Sequence, residues 1–388
     1  MTTLSRLKSI SLSSGLAGWL LLMSPRLLRA SGDVSYKYED YREDGGRIAV
    51  TTSSALLNQD LTPDLHLKLQ GVIDAIAGAT PNGQPAPAGS DQVVLSQMHD
   101  RRKAWEADLS RQFSQVNVTA GFANSRESDY VSNGWSLNTR TDFNEKNTTL
   151  LAGVAGTDDT VKVFFQSPWA KKRTLDLIAG VTQLLDARTA VTADVSWARA
   201  TGYLSDPYKL VQKDLEVAPG ITLPFTFGEN RPADRSQWTI YLSLNRAFPA
   251  LNAALEAGYR FYHDTFGTDA HTVEFSWLQR LGPRVLLRPN LRFYTQSAAN
   301  FYYYQLDQTA ITPTATLPAP QGPFYSSDYR LSDLTATTYG LQVVWDATRW
   351  LQLDVALSQY DMRGRDGVTP QSAYPRARIV TAGVKLSW

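Results

Sequence analysis

The chain has 388 residues, 43% of them hydrophobic, and a formal net charge of +1, a balance that gives no reason to expect nucleic acid as a partner. It contains no cysteine, which excludes thiolate metal sites, c-type haem attachment and a catalytic thiol, and suits a chain that crosses an oxidising periplasm. Past the N-terminus no apolar run is long enough for a membrane helix, whereas a membrane β-barrel, apolar at every second position, keeps a low mean hydropathy such as the -0.28 found here.

Taken in order, Arg6 and Lys8 precede an apolar, Ser-containing segment, Ile10 to Met23. A positive start and a run too short to span are the pattern of a secretory signal peptide. Residues 1–30 are read as that peptide, cleaved after Ala30, and 31–388 as the mature domain; an uncleaved anchor is the alternative.

From Asp33 onward the sequence predicts strand after strand: 33–43, 47–57, 64–74, 102–113, 116–125, 130–142, 147–157, 173–185, 188–200, 235–247, 251–263, 269–281, 284–298, 333–346, 350–362 and 376–388. Leu351, Leu353, Val355 and Leu357 alternate with Gln352, Asp354, Ala356 and Ser358, the period of a strand with one apolar face. Trp238, Ile240, Leu242 and Leu244 repeat the pattern. Every second connection is short, as at Phe248–Ala250 and Gly282–Pro283. Those between are often long: 75–101, 201–234, 299–332 and 363–375. The expected fold is therefore all-β, a transmembrane antiparallel β-barrel of about 16 strands with short periplasmic turns and long extracellular loops. That places it in the outer membrane of a Gram-negative-type cell, with outer-membrane lipid as a partner and an aqueous lumen.

The last strand sets Val380, Ala382, Val384, Leu386 and Trp388 against Thr381, Gly383, Lys385 and Ser387. It resembles the closing strand of bacterial outer-membrane barrels, in which the barrel-assembly machinery reads a signal; Thr381, Gly383, Leu386 and Trp388 would carry it here. An edge strand of a soluble sheet alternates in the same way.

Several stretches, GVIDAIAGATP (71–81), DFNEKNTTL (142–150), TGYLSDPYK (201–209), YRFYHDTFG (259–267), YTQSAANFYYYQL (294–306), YSSDYRLS (325–332), YDMRGRDG (360–367) and QSAYP (371–375), resemble one family of bacterial outer-membrane β-barrels. That family carries a domain-of-unknown-function label, number 3570 of its series. The resemblance implies the barrel fold. Because such chains are often encoded beside a flavin transferase and thioredoxin-like proteins, it also hints at a periplasmic redox partner, a flavoprotein or cytochrome. It supplies no catalytic residues.

No Gly-x-Ser-x-Gly elbow, phosphate-binding loop or His-Glu-x-x-His occurs, so a non-enzymatic role without a cofactor is expected. Of four histidines, His66, His99, His263 and His271, the last two flank DTFGTDA. In a symmetric hairpin their rings would face each other and could hold a metal; a polar hairpin tip is the plainer reading, and no metal is expected. His99-Asp100 reads as a solvated charge run before a strand, and Asp158-Asp159 as a turn. Tyr203, Asp206, Tyr208, Tyr302, Tyr303, Tyr304, Tyr325, Asp328, Tyr329, Arg363 and Arg365 crowd the long loops, either as an inward-packed plug or as a ligand site built on stacking.

If Leu255, Ala257, Tyr259 and Phe261 face lipid, the even positions of three successive strands face the lumen. Pairing His263 with His271 puts Arg260 opposite Glu274, with Arg292 beyond and Arg288 and Glu256 nearby. Pro289 removes a ladder donor and predicts a bulge. The expected function is a porin-like channel for small hydrophilic solutes, selective through that charged wall. The alternative is a barrel that serves as scaffold or sheath for the redox partner.

Overall fold

The computed structural model describes residues 30–163, 169–307, 309–314 and 317–388; the segment read as a signal peptide lies outside them except for Ala30. Strands β1 (Gly32–Glu43), β2 (Ala49–Thr62), β3 (Leu65–Pro81), β4 (Leu95–Phe113), β5 (Val116–Arg126), β6 (Tyr130–Phe143), β7 (Thr148–Val161), β8 (Ala170–Asp186) and β9 (Thr189–Gly202) form the first part of the wall. A separate hairpin, β10 (Leu210–Ala218) with β11 (Ile221–Gly228), follows. The wall is completed by β12 (Asp234–Phe248), β13 (Ala253–Asp264), β14 (Asp269–Leu281), β15 (Val285–Gln296), β16 (Leu334–Asp346), β17 (Leu351–Gly364) and β18 (Arg376–Ser387).

All pairs are antiparallel, and β1 meets β18 to close a barrel of sixteen strands. Closure reaches the last residue. Trp388 N donates to Gly32 O at 3.0 Å and Gly32 N to Trp388 O at 3.3 Å. A Cβ on Gly32 would stand 2.8 Å from the Trp388 ring, so the glycine makes room for the terminal indole.

Each strand of the expected set is present, but several run further than the membrane pattern suggests. β3 and β4 shrink the expected loop 75–101 to 82–94. His99 and Asp100 lie inside β4, and Asp158 and Asp159 inside β7 rather than in a turn. There Asp158 accepts from Arg173 Nε at 2.7 Å and Asp159 from the Tyr130 hydroxyl at 2.5 Å. Charge pairs across neighbouring strands let a strand continue past the apolar belt.

The outer face is apolar: Leu175, Leu177, Val195, Leu242, Leu291, Leu341 and Leu357 are all exposed. Large apolar side chains left open in such numbers need a non-aqueous neighbour. Aromatic residues gather at two levels. Tyr38, Phe122, Trp135, Trp197, Trp238, Tyr259 and Tyr339 lie roughly five residues in from the long-loop ends of their strands. Phe113, Phe143, Phe248, Trp345 and Trp350 lie at the short-turn ends. These are the girdles of a membrane barrel. Leu341→Arg, on this belt, is expected to cost about 2–4 kcal/mol if near midplane. Gln342→Arg, one residue on and lumen-facing, should cost far less. Urea titration of the refolded proteins checks the difference, and equal losses would overturn the assigned faces.

The inner face is polar, with one recurring arrangement. Asp108 stands across from Gly121, Asp194 from Gly180 and Asp354 from Gly383. A Cβ on those glycines would meet the aspartate oxygens at 2.4, 1.9 and 2.1 Å respectively. The missing side chain lets each aspartate lie flat along the wall. Gly383 of the closing strand therefore has a local packing reason as well.

The apolar cores lie in the loops. Val93, Tyr329, Leu334, Ala373 and Tyr374 form one cluster, Phe266, Ala299, Phe301 and Leu331 a second, and Val211, Leu306 and Tyr325 a third. A wide barrel wall leaves no apolar interior, so the long loops supply their own.

Candidate functional site: a loop plug above a charged lumen

The plug is pinned by a chain of ion pairs in loop segments. Glu229 receives Arg231 Nε at 2.6 Å, and Arg231 reaches on to Asp328 at 2.9 Å. Asp328 also holds Arg330 at 2.6 Å, and Arg330 holds Asp206 at 2.6 Å. Glu229 is further satisfied by the Ser326 hydroxyl at 2.5 Å and by the Asp206 backbone N–H. Burial alone would raise the Asp328 carboxyl; Arg330 and Arg231 outweigh it and hold the group well below the usual carboxylate range. Burial pushes the Glu229 carboxyl up against the pull of Arg231. Burial likewise lowers Lys209, whose Nζ donates to Pro81 O and lies 5.6 Å from the Tyr329 ring centre.

Tyr325, Asp328 and Tyr329 are buried members of this plug, as an inward-packed reading of the loops expects, and burial pushes the Tyr329 phenol up to about 12. Tyr208 instead bonds Asp129 at the rim, beside Asp100 and Glu127, whose carboxylates gather with that of Asp129. Arg365 pairs with Asp333 at 2.7 Å at the base of the last loop. Arg363 does not belong to the plug. It lies in β17 at an odd position, on the side of Val355 and Leu357, and pairs with Asp361 at 3.1 Å on the outer rim. The strand's alternation carries it outward.

Below the plug the lumen opens into a cavity of about 730 Å³, lined by Glu43, Glu274, Arg288, Arg292, Arg330 and Tyr360 among others. Glu274 stands across from Arg292, and the two pair at 2.9 Å. Arg288 pairs with Glu256 at 2.6 Å. All four sit on the even, lumen-facing side, as the sequence pattern predicts.

The register of β13 and β14 differs from expectation by two residues. Arg260 lies across from Thr272, and Glu274 across from Gly258. The turn explains it. Asp264 Oδ1 accepts from Phe266 N and Thr268 N, both at 3.0 Å, and Asp264 N donates to Thr268 O at 3.2 Å. This centres the hairpin on the buried Phe266 rather than on Gly267. A slip of two keeps the face, so Arg260 and Glu274 still share the lumen wall. It also separates the histidines. His263 pairs with Asp269 at 2.7 Å, and His271 with the Tyr259 hydroxyl at 2.8 Å, so the two rings do not face each other. Nor does Pro289 cause a bulge. Ser276 pairs with Asn290 and Gln279 with Leu287, so the β14–β15 ladder skips the proline without shifting.

Sequence reasoning missed Glu229, Arg231, Lys209, Arg235 and Arg330. Their one signal is charge set among apolar loop residues, as in Phe227-Gly-Glu-Asn-Arg231 and Asp328-Tyr-Arg330, and ordinary surface loops carry the same mixture.

The fold and site together define an outer-membrane-type β-barrel whose mouth is filled by its own loops. The chain belongs to the family described as "Protein of unknown function (DUF3570)", whose model matches residues 22–171 and 165–371. Among solved structures it is similar to a bacterial polysaccharide outer membrane secretin (TM-score 0.48, 10% identity, covering 92% of this chain and 98% of that one). It is also similar to OpdK of Pseudomonas aeruginosa (TM-score 0.44, 9% identity, 93% and 100% covered). With the ferric enterobactin receptor PfeA the TM-score is 0.45 at 14% identity over 91% of this chain, which spans 60% of that receptor's length. No curated protein matches the chain.

Proposed function

We propose that the protein is a non-enzymatic, porin-like channel of the outer membrane, admitting small hydrophilic solutes and selecting among them by charge and size. The carrying observation is the cavity of about 730 Å³ within the closed wall, edged by half-exposed charged side chains. Charged groups in that state border water, and a water-filled lumen is a diffusion path. The apolar belt with its two aromatic levels supports membrane insertion, with the short turns on the periplasmic side.

In planar bilayers the purified protein is expected to conduct, with a mild preference for anions. Arg260→Glu combined with Arg292→Glu is expected to reverse that preference, measured as the sign of the zero-current potential in a salt gradient. A wild-type protein without conductance would sink the channel reading, and unchanged selectivity in the double variant would sink the role of this wall.

A further inference from the structure

The register leaves the lumen-facing Arg260 without a counter-charge. Arg260 stands across from Thr272, and Thr272 across from Tyr294. Glu274, the carboxylate one row away, lies opposite Gly258 and turns to Arg292 at 2.9 Å. Among the described residues no carboxylate forms an ion pair with Arg260, whereas the neighbouring arginines are all paired. Its guanidinium lies 5.5 Å from the Tyr241 ring centre. Gly258 makes that possible, since a Cβ there would stand 2.9 Å from the Tyr241 hydroxyl.

From above, the plug lowers Arg330 toward this row. Arg235, Arg260, Arg292 and Arg330, with Thr272 and Tyr294, are among the residues around a cavity of about 220 Å³, and no carboxylate lines it. Arg235 is fixed by Asp264 at 2.5 Å and Arg330 by Asp328 at 2.6 Å. Such pairs occupy only part of a guanidinium's five donors and hold the remainder in place. The side chains of Arg292 and Arg330 are 45% and 52% exposed, so their free donors reach water.

We propose that this cavity binds a small oxyanion, the chemistry shared by inorganic phosphate and short carboxylates, with Arg260 supplying the net positive charge. The assignment rests on the lumen being open to water, as the channel reading holds. A planar guanidinium fork matches two oxygens of one oxyanion at once, which chloride cannot offer. The Thr272 hydroxyl adds a neutral donor beside the arginines, while the Tyr294 hydroxyl donates to Gln296 Oε1 at 2.6 Å.

The test uses the full chain folded in detergent micelles. Sodium phosphate and sodium succinate are titrated calorimetrically in a chloride buffer of fixed ionic strength. Saturable binding of one oxyanion per chain is expected, weakened at least ~10-fold in Arg260→Gln and unaltered in Arg363→Gln on the outer rim. Retained heat-modifiable migration in gels shows that each variant is folded. If Arg260→Gln does not fold, Arg260→Lys decides, since it keeps the charge but loses the fork and is expected to bind more weakly than the wild type. Binding of phosphate alone assigns the site to tetrahedral oxyanions, and of succinate alone to carboxylates. No saturable binding by the wild type, or undiminished binding in the folded Arg260 variant, overturns the proposal. Conductance without binding sinks this site and leaves the channel; binding without conductance does the reverse.

Discussion

Asp328→Ala is expected to release the plug while leaving the wall intact. The Asp328 side chain is 1% exposed and holds both Arg231, 12% exposed, and Arg330. Removing it strands the buried Arg231 against Glu229 alone, and breaking a buried pair from one side typically costs about 3–5 kcal/mol. The three apolar clusters that this chain of ion pairs ties together lie mainly in loop segments, so the loss falls there. The β-ladders of the wall do not depend on them. Chymotrypsin should then cut within 299–332, where the native tyrosines are packed, and bilayer conductance should rise several-fold. Unfolding of the wall with the plug, or unchanged protection, would contradict this. pH adds a sign. A carboxyl held below its unfolded value of about 4 contributes stability that is complete above that value and is lost as pH falls through the folded one. The contribution of Asp328 is therefore full at neutral pH and is lost only below about pH 4.

Trp388→Asp is expected to deplete the folded outer-membrane pool sharply. The substitution removes the aromatic residue at the end of the closing strand and the ring that fills the space beside Gly32. It also places a charge at the edge of the apolar belt. At an interface an acidic residue costs less than the roughly 2–4 kcal/mol of a midplane cation, so most of the loss should come from failed recognition and closure. Trp388→Phe, which keeps an aromatic ring, is expected to retain most of the pool. Quantifying heat-modifiable protein in membrane fractions checks both, and a normal level of Trp388→Asp would remove the special role of this residue.

The wall was legible because burial in a membrane imposes a period of two that a reader can see, as at Leu351 to Ser358 and Trp238 to Asn245. Strand ends were less so. Above the belt β3, β4 and β7 are held by side-chain pairs such as Asp158 with Arg173, which leave no apolar alternation. The hairpin β10–β11 turns at Gly220 with φ +76°. The sequence reads it as part of one long loop, and in the structure its apolar residues Val217, Ile221, Leu223 and Phe225 are exposed. Register needed Asp264, whose side chain sets where the β13–β14 turn is centred. Two of the plug's ion pairs, Arg231 with Asp328 and Arg330 with Asp206, join residues 97 and 124 positions apart. Spacing along a chain says nothing about such a meeting.

The glycines opposite lumen aspartates separate two properties of the passage, its width and its field. Asp108 contributes charge while adding almost no bulk. On its arc Lys68 faces two carboxylates, Glu106 and Asp108, each at 3.0 Å, leaving one negative charge over. β4 stands diametrically across the ring from β14. On that side three arginines, Arg260, Arg288 and Arg292, stand against two glutamates, Glu256 and Glu274, leaving one positive charge over. These two arcs thus face each other across the ring with opposite surplus charge. If the lumen conducts as proposed, a solute crossing it meets a potential that slopes between these arcs. A molecule with separated charges of its own is then expected to pass in a preferred orientation.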